Sequence, residues 1–165
     1  MRKRISITGG AGFLGKHLVE LLAKNDDYDI ILLARNKQKY LNIFKDMKNI
    51  TIHHGDLLRP NSLENFIIDN TTIIHLAYIS ESPEDNIIAT NNIITQANKV
   101  DIKQFIHCST AVVCGFNSNK LINENSPLEP KGSYQKNKAD IEKVLSQNLL
   151  ENTSLIILRP TEIFG

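Results

Sequence analysis

A chain of 165 residues with 41% hydrophobic content has apolar material for one core and one domain. Its 19 basic and 18 acidic residues nearly cancel, and the one basic run, "MRKR", is too short to mark a polyanion partner, so no nucleic acid is expected. No apolar run approaches the length of a bilayer span and no signal-peptide core follows Arg4, so the expectation is a cytoplasmic protein with no membrane partner.

In chain order, the first predicted strand is 3–8 (KRISIT), and "ITGGAGFLG" joins it to a helix over 12–24. Gly9, Gly12 and Gly15 stand three apart in that turn. In a dinucleotide-binding turn the first glycine permits the bend, the second lets a phosphate approach the backbone, and the third allows close packing of helix on sheet. The pyrophosphate then rests on free N–H groups at the helix start, which brings Phe13 and Leu14 into the candidate cofactor set with the three glycines. A purely structural turn is the other reading of such a triplet. Its place after the first strand of an alternating chain favours the binding one.

The second strand, 29–34 (DIILLA), ends on Ala34 and is followed by Arg35. A site for NAD usually presents a carboxylate there to the adenosine ribose. A guanidinium suits a 2′-phosphate instead, so NADP is favoured over NAD, unless Arg35 merely ends the strand and points to water, or Lys37 takes its part. A helix over 37–47, a strand at 50–53, a helix over 61–69 and a strand at 72–76 follow. Beyond them lie a helix over 84–99 and a strand at 104–109. Short Ile, Val and Leu runs alternating with amphipathic stretches predict an α/β fold, a Rossmann-type doubly wound parallel sheet of about six strands with helices on both faces.

The long irregular segment 115–133 falls after the fifth strand, at the sheet end where such folds bind ligands. Its Glu124 and Glu129 read as loop carboxylates rather than a catalytic pair. A helix over 132–150 precedes the last strand, 154–159. On that helix Ile141, Val144, Leu145 and Leu149 form one apolar stripe, and Tyr134 and Lys138 project from the same stripe. Lys138 is therefore aimed inward, where an ammonium requires partners such as ribose hydroxyls and a phenolic oxygen. A lysine stem snorkelling to water is the alternative. His53, His54, His75 and His107 have no companions at metal-ligand spacing and read as structural, so no metal is expected. Cys108 and Cys114 lack CxxC spacing and read as packed thiols.

Taken together and in order, "TGGAGFLG" (8–15), "GDL" (55–57), "HLA" (75–77), "NIIATNNIITQA" (86–97), "FIHCSTAVVCG" (105–115), "YQKNK" (134–138) and "LRPTEIFG" (158–165) resemble the extended short-chain dehydrogenase/reductase family, in particular its NAD-dependent epimerase/dehydratase branch. The resemblance implies that Asp56 and Leu57 border the adenine, that Leu76 and Ala77 line the cofactor path, and that Thr110, Tyr134 and Lys138 are the catalytic set. Tyr134 is then the acid/base beside hydride transfer to or from nicotinamide. Thr110 holds the substrate oxygen, and Lys138 both lowers the phenol pKa and grips the nicotinamide ribose.

Ala89, Tyr78, Cys114 and Asn137 depart from the family pattern, and the bulk of Tyr78 narrows the nicotinamide end of the groove. The family continues past this point into a smaller substrate lobe, so residues 1–165 are expected to be the dinucleotide-binding domain of a longer protein. The implied partners are NADP or NAD and a small-molecule substrate such as a nucleotide sugar, with a homodimer allowed. An NAD(P)-binding regulatory protein without turnover is the alternative function.

Overall fold

The computed structural model of the protein describes residues 2–115 and 121–164. It contains six strands, β1 (Lys3–Thr8), β2 (Tyr28–Ala34), β3 (Ile50–His54), β4 (Thr71–His75), β5 (Gln104–Cys108) and β6 (Ser154–Leu158). Four helices connect them, α1 (Phe13–Leu22), α2 (Lys37–Ile43), α3 (Pro83–Ala97) and α4 (Ser133–Asn148). Alternate residues of β2 enter two different clusters, Ile30 and Leu32 on one face and Ile31 and Leu33 on the other. A strand covered on both faces requires this continuous apolar run. All strand pairs are parallel and the order is β3-β2-β1-β4-β5-β6.

The first face is packed by α1 and α2, where Val19 and Phe44 meet Ile5, Ile7, Ile30 and Ile74. The second is packed by α3 and α4, with Ile93, Ile94, Ile141 and Leu145 against Phe66 and Phe105. Local signals fix the helix starts. Asn36 caps α2 by accepting from the Lys39 N–H at 2.9 Å. Pro83 opens α3, with Glu84 and Asp85 in its first turn complementing the dipole. Gln135 turns its Oε1 back to the N–H groups of Lys131 (2.7 Å) and Gly132 (3.4 Å) ahead of α4.

The expected helix over 61–69 is absent. Only a 3₁₀ turn, Pro60–Leu63, forms there, and Asn65 adopts φ 62°. The spacing of Leu63, Phe66 and Ile67 imitates a helical stripe, yet their burial is achieved by a turn that the left-handed Asn65 reverses. The other predicted elements are found with their ends moved by a few residues. Within the long irregular segment 121–132 contains no helix or strand, and the Glu129 N–H returns to Val113 O at 2.9 Å. Residues 116–120 of that segment and the terminal Gly165 lie outside the described residues. The order of strands reverses between β1 and β4, so their carboxyl ends open a crevice between chain paths that diverge to either side.

Candidate active site

Two adjoining clefts occupy that crevice. The first, about 520 Å³, is lined by Gly9, Gly12, Arg35, Asn36, Lys39, Tyr40, Asp56, Leu57, Leu76, Ala77 and Tyr78 among others. The second, about 340 Å³, is lined by Gly12, Phe13, Leu14, Gly15, Thr110, Tyr134 and Lys138, with Cys108 and Ser109 on its floor. Gly9, Gly12, Leu76 and Tyr78 line both, so the two form one groove. Every cofactor and catalytic residue expected from sequence is thus brought to its wall.

The glycine turn is built by close approach. Gly9 has φ +73°, and a Cβ there would lie 2.7 Å from Ala77 N. A Cβ on Gly15 would lie 2.2 Å from Gly9 O, so this residue is what lets α1 start against the turn. Gly12 differs: its Cβ would meet only Gly9 O, at 3.2 Å, and otherwise enter the groove. No side chain caps α1 at Gly12. Its first-turn N–H groups therefore remain available to an anion, and the cradle fits a dinucleotide pyrophosphate.

At the far end of the first cleft, Arg35 lines the wall as expected, but Lys37 does not. Lys39 and Tyr40 do, one turn further along α2. The Tyr40 hydroxyl accepts from Ala11 N–H at 3.3 Å, and burial pushes its phenol up while that bond and the Arg35 charge oppose the rise. Asn36, whose side chain caps α2, fixes the first turn of that helix beside the strand end. Asp56 is held by its own loop, its Oδ1 accepting from Leu58 N–H at 3.0 Å.

In the second cleft Lys138 is only 5% exposed, as the apolar stripe requires, whereas Tyr134 on the first turn of α4 is 45% exposed. The Lys138 Nζ donates to Cys108 O at 2.8 Å and lies 4.7 Å from the centroid of the Tyr78 ring. Burial lowers its pKa, against the opposing influence of Cys108 and Glu142. The expected lowering of the Tyr134 pKa by Lys138 is not found. Burial, and then the nearby Cys108 thiol, push that phenol up, because the ammonium is directed to Cys108 O and the Tyr78 ring. Thr110 is buried in extended backbone at the end of β5.

A buried network that sequence reasoning did not find stabilises this floor. Glu142, 3% exposed and one turn beyond Lys138, accepts from the Ser109 hydroxyl and from Arg159 Nε (3.1 Å) and Nη2 (2.7 Å). It joins the carboxyl ends of β5 and β6 to α4. Below the glycine turn, the Thr8 hydroxyl accepts from Ala77 N–H at 3.3 Å and lies 2.7 Å from His75 Nδ1. His107 stacks beside His75 at 5.5 Å between centroids, both fully buried, and burial first and neighbouring positive charge second hold them at about 2 and about 3. Among the described residues no three His, Cys, Asp or Glu side chains group as a metal site, and no helix is long and apolar enough to cross a membrane.

Residues 5–165 match the NAD dependent epimerase/dehydratase family. The chain belongs to that family. It is 28% identical to the UDP-glucose 4-epimerase of Halalkalibacterium halodurans over 85% of this chain and 44% of that protein. With the dTDP-D-glucose 4,6-dehydratase of Dictyostelium discoideum the identity is 29% over 99% of this chain and 44% of the other. The crystal structure of dTDP-glucose 4,6-dehydratase from Bacillus anthracis in complex with NAD superposes with a TM-score of 0.79 and 25% identity, covering 98% of this chain and 56% of that one. This epimerase/dehydratase-family chain spans about half the length of the relatives it matches.

Proposed function

We propose that the protein is an NAD(P)-dependent epimerase, dehydratase or related oxidoreductase acting on a nucleotide sugar or a similar hydroxyl or carbonyl compound. The observation that carries this reading is the continuity of the two clefts through Gly9, Gly12, Leu76 and Tyr78. A ligand resting on the glycine turn extends one way to Arg35 and the other to Thr110, Tyr134 and Lys138. Gly12, Phe13, Leu14 and Gly15 would hold the pyrophosphate, Asp56 and Leu57 the adenine, Leu76 and Ala77 the walls of the path, and Lys138 the nicotinamide ribose. When bound, the nicotinamide supplies a hydride acceptor or donor. Tyr134 exchanges a proton with the substrate hydroxyl at its phenolic oxygen, and the Thr110 hydroxyl holds the substrate oxygen in line. Burial raises the Tyr134 pKa and so favours the protonated phenol, the form that gives a proton to a carbonyl oxygen as hydride arrives; taking the proton of a hydroxyl in the reverse direction requires its phenolate.

The adenosine end supports NADP over NAD. Arg35 and Lys39 bring two cations to it, and Asp56 is the one carboxylate lining that cleft among the described residues. Unpaired Cys108 and Cys114 are consistent with the cytoplasmic location that belongs to this reading. A second reading, dinucleotide binding without turnover, is favoured by the engagement of Lys138 with Cys108 O and Tyr78 in place of Tyr134.

The deciding experiment supplies UDP-glucose or dTDP-glucose with NADP or NAD and analyses the sugar products for the full-length protein that carries this domain and for its Tyr134→Phe variant. The expected result is turnover reduced by about 10²-fold or more in Tyr134→Phe with dinucleotide affinity retained. Turnover that survives the substitution refutes the assignment of Tyr134, and dinucleotide binding without any turnover in a protein that carries this domain together with the expected substrate lobe selects the second reading.

A further inference from the structure

We propose that Tyr78 is a positioning residue of this site and forms its waist: its ring holds Lys138 and Tyr134 in place and sets the passage between the two clefts. The proposal rests on the dinucleotide reading above and names a residue whose bulk that reading does not need. Tyr78 is among the few side chains that line both clefts. Its ring meets that of Tyr134 edge to face, with centroids 5.2 Å apart and planes at 80°. The face of the same ring lies beneath the Lys138 ammonium at 4.7 Å.

A nearly buried ammonium requires several partners, and Cys108 O supplies one at 2.8 Å. The electron-rich face of Tyr78 supplies a second. Of the three N–H donors of Lys138, that leaves one for a hydroxyl of a ligand in the second cleft. A smaller residue at 78 would remove the second partner and open the passage at once.

The backbone on both sides of Tyr78 is pinned, so its ring is held where it is rather than resting there by chance. Before it, Leu76 N–H donates to Thr8 O at 3.2 Å and Ala77 N–H to the Thr8 hydroxyl at 3.3 Å. After it, the Asn86 carboxamide accepts from Ile79 N–H (2.8 Å) and donates to Ile79 O (2.8 Å) and Ser82 O (3.2 Å). Asn137, which stands on α4 between Tyr134 and Lys138, donates to Pro83 O at 2.7 Å and ties the same segment to the helix that carries them. Three elements thus fix one aromatic ring against the two side chains assigned to the chemistry.

The test compares Tyr78→Phe and Tyr78→Leu with the unmodified protein by two measurements. The first is the NMR shift of the Lys138 ε-methylene protons, displaced upfield by a ring beneath them. The displacement should persist in Tyr78→Phe and vanish in Tyr78→Leu. The second is affinity for ADP, which ends at the glycine turn short of Tyr134 and Lys138, and for NADPH and NADH, which continue to them. Tyr78→Leu should leave ADP binding unchanged and weaken the tighter-binding dinucleotide about tenfold, with Tyr78→Phe within about twofold of the unmodified protein. If ADP and dinucleotide both bind and Tyr78→Leu matches the unmodified protein in affinity or in the Lys138 shift, the proposal is overturned while the dinucleotide reading stands. If neither ligand binds the unmodified, folded protein, the dinucleotide reading fails first and the waist fails with it.

Discussion

Gly12 and Gly15 belong to the same turn but face different things, and substituting them should separate binding from folding. A Cβ at Gly15 falls 2.2 Å from Gly9 O and 2.8 Å from Gly10 Cα, both backbone atoms that have no side-chain freedom with which to yield. Overpacking of this kind costs about 1–3 kcal/mol or more, so Gly15→Ala should lower the urea midpoint clearly. A Cβ at Gly12 meets only Gly9 O at 3.2 Å, and the backbone there has an ordinary φ of −74°. Gly12→Val should therefore fold at a smaller cost than Gly15→Ala, since Gly9 O has to give only slightly, while filling the place where a pyrophosphate approaches α1. Losing two charge-assisted bonds to backbone N–H groups amounts to about 3 kcal/mol, a weakening of more than about a hundredfold in dinucleotide affinity. Urea denaturation and fluorescence titration with NADPH measure the two effects. Unweakened binding by Gly12→Val, or an undiminished urea midpoint in Gly15→Ala, would refute the assignment of the turn.

Arg35→Ala should erase a preference for NADPH over NADH that is at least about tenfold in the unmodified protein at modest salt, as competing titrations would show; equal affinities before substitution would contradict it. The buried His75 and His107 have pKa values depressed to about 3 and about 2, below their unfolded value, so their contribution is present above about pH 6.5 and is lost as the pH falls. Stability from urea curves should drop by about 4 kcal/mol between pH 7 and pH 5, and His107→Phe should halve that dependence. Arg159→Met leaves the buried Glu142 carboxylate with the Ser109 hydroxyl and should cost about 2–3 kcal/mol, more than the double variant Glu142→Leu with Arg159→Met; equal costs would show that the pair is not coupled.

The doubly wound parallel class and the glycine turn were legible because they depend on neighbours in sequence: a run such as "DIILLA" has one way to be covered on both faces, and three glycines after a strand have few other uses. The inward aim of Lys138 was legible for the same reason, from the stripe of Ile141 and Leu145 on its own helix. The helix expected at 61–69 failed because apolar spacing alone cannot register that Asn65 turns left-handed after Pro60–Leu63. What surrounds the Lys138 ammonium was not legible, since Cys108 O and the Tyr78 ring reach it only through the parallel arrangement of β4, β5 and α4. The upward shift of the Tyr134 phenol follows from that same arrangement. Lys39 and Tyr40 were missed because their approach to the glycine turn is set by how α2 crosses back over the sheet.

Amide NMR of the isotopically labelled protein during titration with NADPH tests the continuous groove most directly, because both clefts are read in one experiment. The expected result is saturable, one-to-one binding with shifts at Gly9 to Gly15, at Arg35 and Lys39, at Leu76 to Tyr78, and at Thr110, Tyr134 and Lys138. Shifts confined to one cleft, or none in a folded sample, would contradict it.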